Sequence, residues 1–217
     1  RGRGYLGRNG GHMNFEQAWE RTDRVEGWLH KTEGRLLWET CERAIGRKIT
    51  APTIVEIGAY KGRSTTLLGQ YAQGADLIVV EPFWYGEGQP GLDGRQEHDW
   101  MYTERRFQAD TYASYMTNMS GLSHMLIIEP SSRVDFSNYN IDMAFIDGDH
   151  TEGGVLMDCY KIMPRVRVGG MVAFHDYRPD VFGVKPVLDW LLGEAEGRWV
   201  MEGQESELVV VRRKPLC

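Results

Sequence analysis

Residues 55–65 read Val55-Glu56-Ile57-Gly58-Ala59-Tyr60-Lys61-Gly62-Arg63-Ser64-Thr65. The hydrophobic run from Ala51 to Ile57 carries an acid near its end and stops at a glycine. A second glycine follows four residues later, then two hydroxyls and the apolar Leu67 and Leu68. This spacing predicts a strand, a tight turn and a helix. Gly58 and Gly62 let the backbone turn sharply and approach a ligand closely. A helix starting near Ser64 aims its free N–H groups into the turn, which suits a carboxylate or a phosphate. Glu56 at the strand end can accept hydrogen bonds from an amine or a ribose. An acid beside an anion hole suits a zwitterionic, nucleoside-bearing ligand, although a purely structural turn satisfies the same pattern. The spacing E-x-G-x-x-x-G departs from the dinucleotide fingerprint G-x-G-x-x-G, which weighs against NAD.

Outward from this turn, apolar runs alternate with helical patterns. Strands are expected at Thr53–Ile57, Asp76–Glu81, His124–Ile128, Asp142–Asp147 and Gly170–Asp176, with Arg198–Met201 and Glu207–Arg212 closing the sheet as an antiparallel pair. Helices are expected at Ser64–Gln73, Tyr112–Met119, Gly154–Arg165 and Lys185–Leu192. Such alternation indicates an α/β, Rossmann-like, doubly wound sheet of seven strands, mostly parallel, with ligands beyond the carboxyl ends of its strands. Between Phe15 and Gly46, Trp19, Val25, Trp28, Leu29, Leu36, Leu37 and Ala44 recur at helical spacing, with an interruption near Gly34. Residues 13–50 are therefore read as a helical cap packed on the sheet. Residues 82–110 break the rhythm with a glycine-rich stretch bearing Phe83, Trp84, Tyr85, Trp100 and Tyr102, read as a lid or substrate wall.

The chain of 217 residues suits one domain. Residues 1–12 are rich in glycine and arginine, and Gly11-His12-Met13 reads as a vector-derived junction, so that leader is set aside. Without its three arginines the formal charge falls from −6 to −9. That acidity weighs against nucleic acid as the main substrate, since phosphate binding needs clustered Lys and Arg. No run of about 18 apolar residues marks a membrane span. Cys41, Cys159 and Cys217 are widely spaced and fit reduced thiols of a cytoplasmic protein.

Polar residues converge at the expected strand ends. Glu81 follows Leu77-Ile78-Val79-Val80, where doubly wound folds place an acid for ribose hydroxyls. Phe145-Ile146-Asp147-Gly148-Asp149-His150 and Ala173-Phe174-His175-Asp176-Tyr177 deliver two histidines and three acids to one edge. Crowded carboxylates repel, and a divalent cation relieves the repulsion. Oxygen ligands favour Mg²⁺, while a histidine ligand tilts the choice toward Mn²⁺, Fe²⁺ or Zn²⁺. Helix capping and pairing with Arg or Lys are the structural alternatives.

Glu56-Ile-Gly-Ala-Tyr-Lys-Gly-Arg-Ser resembles the first motif of class I S-adenosylmethionine (SAM)-dependent methyltransferases, especially the catechol and caffeoyl-CoA O-methyltransferases. Ile146-Asp-Gly-Asp-His with Gly169-Gly-Met-Val-Ala-Phe-His-Asp-Tyr is similar to bacterial sugar and macrolide O-methyltransferases of the macrocin and mycinamicin type. The resemblance runs from about Trp28 to Arg212. It implies that Glu56, Gly58, Tyr60 and Gly62 line the methionine end of SAM, that Ser64 takes its carboxylate, and that Glu81 takes the ribose. Ser131 and Ser132 fall at the adenine. Asp147 borders the cofactor and is the first metal ligand; His175 and Asp176 stand where the family has an Asp-Asp or Asp-Asn pair. His150 stands where catechol-type enzymes carry a lysine base, and His175 is its rival for that role. The implied acceptor is a hydroxyl of a small polyhydroxylated molecule such as a sugar, a glycosylated natural product or a phenol. Dimers are common among the relatives, so a homo-oligomer stays open. Two other readings remain: a metal-independent methyltransferase with a histidine base, and a nucleotide-binding oxidoreductase or non-catalytic ligand-binding domain. DNA amino-group methylation is disfavoured, because the fourth strand ends in Ile-Asp-Gly-Asp and lacks the Asn/Asp-Pro-Pro-Tyr/Phe type of sequence.

Overall fold

A computed structural model describes residues 13–46, 51–72, 75–83, 105–179, 183–194 and 197–215. The expected leader at 1–12, and the lid aromatics Trp84, Tyr85, Trp100 and Tyr102, lie outside these residues. In chain order the elements are α1 (Phe15–Thr22), α2 (Lys31–Ile45), β1 (Thr53–Ile57), α3 (Arg63–Tyr71), β2 (Asp76–Val80), α4 (Arg105–Asn118), β3 (Met125–Ile127), β4 (Ile141–Ile146), α5 (Glu152–Ile162), β5 (Val166–Phe174), α6 (Val184–Glu194), β6 (Trp199–Glu205) and β7 (Leu208–Arg213). Short 3₁₀ turns occupy Ser131–Arg133 and Met163–Arg165.

The strands form one seven-stranded sheet in the order β3-β2-β1-β4-β5-β7-β6. β1 to β5 pair in parallel, while β7 runs antiparallel to both β5 and β6. This is the doubly wound, Rossmann-like architecture that alternating strands and helices predict.

Strand alternation splits the core into two layers. Along β1, Ile54 joins the cluster under α1, α2 and α3, and Val55 and Ile57 join the cluster under α5 and α6. Burying a side chain such as Phe145 or Leu67 in these layers contributes roughly 1.5–3 kcal/mol each. Among the described residues no helix is long and apolar enough to cross a membrane.

Two local expectations are corrected. Gly34 does not interrupt a helix; it lies inside α2, where an added Cβ would stand 2.3 Å from the Trp19 ring. Glycine there allows α2 to pack closely on α1. The helical break is instead the segment 23–30. The Gly169-Gly170 pair does not open the fifth strand. β5 begins at Val166, and the pair sits where the β4–β5 register shifts between Ile141 and Met143, a bulge tolerated by the positive φ of Gly169 (+79°). At the far end of the expected lid, residues 105–110 belong to helix α4.

Candidate active site

Parallel register builds the site. Val80, Ile57, Ile146 and Phe174 stand side by side on β2, β1, β4 and β5. The residues that follow them, Glu81, Gly58, Asp147 and His175, therefore form a row across the carboxyl edge. The ladder extends into this row: Gly58 N donates to Val80 O (3.0 Å), Asp147 N to Ile57 O (2.8 Å) and His175 N to Ile146 O (3.1 Å).

The β1–α3 turn is held close against β4. A Cβ on Gly58, whose φ is +82°, would stand 2.0 Å from the Asp147 carbonyl oxygen. Tyr60 adopts φ +49°, strained for a non-glycine residue. Gly62 caps α3 without a side chain, and no side-chain group among the described residues caps the amides of the first turn. Glu81 is 3% exposed, and its carboxylate accepts from the backbone N–H of Ala59 (2.8 Å), Tyr60 (3.0 Å) and Phe83 (2.8 Å). The acid that the resemblance assigns to ribose thus also ties the turn to β2.

Glu56 is fully buried, and burial pushes its carboxyl up to about 8. One oxygen accepts from the Ser64 hydroxyl, and the other has no hydrogen-bond partner among the described residues. Ser64 is itself buried. Ser131, on the 3₁₀ turn after β3, donates to Asp158 Oδ1 at 2.5 Å, and Ser132 beside it is exposed.

At the ends of β4 and β5, one donor atom each from Asp147, His175 and Asp176 lies within 4.8 Å of the others. His150 Nε2 stands 3.2 Å from both Asp147 Oδ1 and Asp176 Oδ2. His175 Nδ1 lies 3.6 Å from Asp147 Oδ1 and 3.4 Å from Asp176 Oδ2. Burial opposes the charged form of His175, but the carboxylates of Asp147, Asp176 and Glu33 outweigh it and push the group up to about 11. Burial and the same aspartates compete at His150 too, and the aspartates hold it above its ordinary range. Asp176 is held down to about 2: burial raises it, and the hydrogen bond and charge of His175, with the charge of His150, more than compensate. Its φ of +57° marks it as backbone-strained.

The fold brings Glu56, Gly58, Tyr60, Gly62, Ser64, Glu81, Asp147, His150, His175 and Asp176 to one edge. It also reveals two residues that sequence reasoning passed over. Glu33, 1% exposed on α2, faces His175 Nε2 at 3.3 Å; Asp158, 1% exposed on α5, takes the Ser131 hydrogen bond. Both carry the same signal, an acid at a buried helical position: Glu33 is one turn before Leu37, and Asp158 is one turn before Ile162.

A protein family described as a methyltransferase domain matches residues 55–177. An uncharacterised protein of Acanthamoeba polyphaga mimivirus is 28% identical over 126 residues, which are 58% of this chain and 52% of that protein. The chain thus spans about half the length of that relative. Among solved structures, the O-methyltransferase NovP is similar with a TM-score of 0.65 and 12% identity, over 87% of this chain and 84% of that one. The O-methyltransferase TomG from Streptomyces achromogenes, involved in tomaymycin synthesis and solved with SAM, has a TM-score of 0.57 and 15% identity, over 93% and 88%. At these identities the structural likeness speaks for the fold.

Proposed function

The chain belongs to the methyltransferase domain family, and from that membership we propose that it moves the methyl of SAM to a hydroxyl oxygen of a small polyhydroxylated molecule, with a divalent metal at Asp147, His175 and Asp176. The observation that carries this reading is the cluster of those three residues with His150 at the carboxyl edge, beside the β1–α3 turn.

Glu56, Gly58, Tyr60, Gly62 and Ser64 would hold the amino-acid end of the donor, with Asp147 alongside, Glu81 the ribose, and Ser131 and Ser132 the adenine. Two features fit the donor. The uncapped first turn of α3 suits a carboxylate, and the unpartnered oxygen of Glu56 suits an amine. When bound, SAM supplies an electrophilic sulfonium methyl. The metal site is tested by its donor set: two carboxylates and an imidazole converge closely enough to share one ion. When bound, such an ion lowers the pKa of an acceptor hydroxyl and orients it.

In its neutral form His150 takes the hydroxyl proton as the oxygen attacks, and the aspartates beside it stabilise the imidazolium that results. It is less buried than His175, and its Nε2 faces the same two aspartates. His175, engaged on both ring edges, is suited to hold position as a ligand. Holding the oxygen in line with the donor can supply a large part of the barrier reduction in such a displacement, and the row of strand ends supports that reading.

A second reading draws on the same distances. His150 already sets an imidazole 3.2 Å from each aspartate, so in its neutral form it can act as the base of a metal-independent methyltransferase, the aspartates stabilising the imidazolium that forms. Transfer of isotope-labelled methyl from SAM to a panel of sugars and phenols, with and without EDTA, tests both. Transfer lost to EDTA and restored by a divalent ion supports the first reading, and transfer surviving EDTA selects the second. Binding of NADH without binding of SAM would overturn both.

A further inference from the structure

Glu33 is a buried acid outside residues 55–177, and methyl transfer as set out above makes no use of it. It sits in the first turn of α2 on the inward face and reaches the carboxyl edge of β5. Oε2 accepts from the His30 N–H at 2.9 Å, and Oε1 from the Glu207 N–H at 3.1 Å. Two backbone amides therefore hold the carboxylate, one on each oxygen. Its remaining polar contact among the described residues is His175 Nε2, 3.3 Å from Oε2. A buried charge persists only when paired and hydrogen-bonded, and these three partners meet that condition.

The two nitrogens of His175 are thereby made unequal. Nε2 faces Glu33, while Nδ1 faces Asp147 and Asp176. The Phe145 ring packs edge-on against the imidazole at 6.3 Å between centroids, restricting ring rotation further. A carboxylate that takes one ring N–H of a histidine keeps the proton there and leaves the other nitrogen to a metal, fixing both tautomer and orientation.

We infer that Glu33 is the positioning residue that commits His175 to coordinate through Nδ1, and that it thereby gives the site a preference for imidazole-accepting divalent ions (Mn²⁺, Co²⁺ or Zn²⁺) over Mg²⁺. The inference rests on the metal reading above. A divalent ion bound there would displace the Nδ1 proton to solvent, while Nε2 would keep its own proton and donate it to Glu33.

The test titrates the metal-free full chain at fixed pH with Mn²⁺, followed by electron paramagnetic resonance, and with Mg²⁺ in competition. Wild type is compared with Glu33→Gln, Glu33→Ala and His175→Asp. Wild type should prefer Mn²⁺. Both Glu33 variants should lose about 10- to 100-fold in Mn²⁺ affinity, the range typical when an outer partner of a histidine ligand is removed. Their Mn²⁺/Mg²⁺ ratio should fall toward that of His175→Asp, while affinity for S-adenosylhomocysteine (SAH) stays within about twofold. In the Zn²⁺-loaded wild type, ¹⁵N spectra should show His175 protonated at Nε2. Unchanged Mn²⁺ affinity in folded Glu33→Gln overturns the role of Glu33 alone. A wild type that binds no Mn²⁺ overturns the metal reading and this inference with it. If Glu33→Ala fails to fold, Glu33→Gln, which keeps the volume and one acceptor, carries the comparison. A proton found at Nδ1 of the Zn²⁺-loaded protein overturns the inference by itself.

Discussion

The two ends of one sheet treat buried acids in opposite ways. At the amino end Asp142 is 4% exposed; it accepts from the Thr53 N–H at 2.9 Å and from the Arg167 guanidinium, which also donates to the Ala44 carbonyl. A full positive charge and a backbone amide answer that acid. At the carboxyl end Glu33, Glu56, Glu81, Asp147 and Asp176 gather within the reach of a few side chains. They are answered chiefly by two imidazoles, a set of backbone amides and one serine hydroxyl. Backbone strain follows the same division: the non-glycine residues Tyr60, Phe83 and Asp176, all at positive φ, lie at the carboxyl end. The amino end spends its charges on holding strands together, and the carboxyl end keeps charge and strain in reserve for a ligand.

The severest way to break this contrast is Gly58→Ala. The new Cβ would meet backbone, the Asp147 carbonyl, at 2.0 Å, and the φ of +82° is unfavourable for alanine. The expected loss is about 4 kcal/mol or more, seen as insoluble protein or as SAH affinity reduced beyond detection by calorimetry. A variant that melts and binds like wild type would show that the turn does not press on β4.

A paired substitution sharpens the contrast directly. Asp147→Asn should lower methyl transfer by about 10²- to 10⁴-fold, because it removes a proposed metal ligand and the carboxylate that holds the base His150. Stability should stay within about 1 kcal/mol of wild type or rise, because one of the crowded carboxylates is gone. Asp142→Ala should do the reverse. It leaves the Thr53 amide and the Arg167 guanidinium without their acceptor and should cost about 2–3 kcal/mol in denaturant unfolding, below the full buried-pair figure because Arg167 is partly exposed. Turnover per folded molecule should stay within about twofold. If Asp142→Ala abolished turnover without unfolding the protein, the division between the two ends would collapse.

The most gradual effect concerns pH, because it is spread over several pH units. Burial pushes Asp158 up to about 7. Its folded pKa lies above its unfolded value, so the folded state holds the proton more tightly. Its contribution is fully present below the ordinary aspartate range and is lost as pH rises toward 7, at no more than about 1.4 kcal/mol per pH unit. Asp158→Asn should flatten part of the fall in stability over that interval, measured by urea unfolding at several pH values. Glu56, pushed up to about 8 by burial, has the same sign and should maintain the remaining slope. A variant whose stability profile matches wild type would mean that Asp158 is not protonated in the folded protein.

Legibility in the sequence followed the range of the interactions involved. The β1–α3 turn could be read directly, because positive φ at Gly58 and Gly62 and the strand before them depend on residues a few positions apart. Asp147, His150, His175 and Asp176 were legible as strand-end residues for the same reason. Gly34 was misread, because glycine ordinarily weakens a helix and only the Trp19 ring from another helix explains its place. The start of β5 was misread because Gly169-Gly170 looks like a breaker, yet pairing with β4 absorbs it as a bulge. Glu33 was missed because its partner His175 lies 142 residues away.

The sequence by itself determined the order of strands and helices, the turn that shapes the ligand edge, and the acids and histidines that reach it. Those features rest on backbone preferences and periodicities that a short stretch of chain contains. Tertiary structure alone decided how the charges are shared out: Arg167 to Asp142, three amides to Glu81, Ser131 to Asp158 and Glu33 to His175. Pairing of charge depends on distance through space and on the water excluded around each group. Neither quantity exists until β4 and β5 lie side by side and α2 closes over their ends.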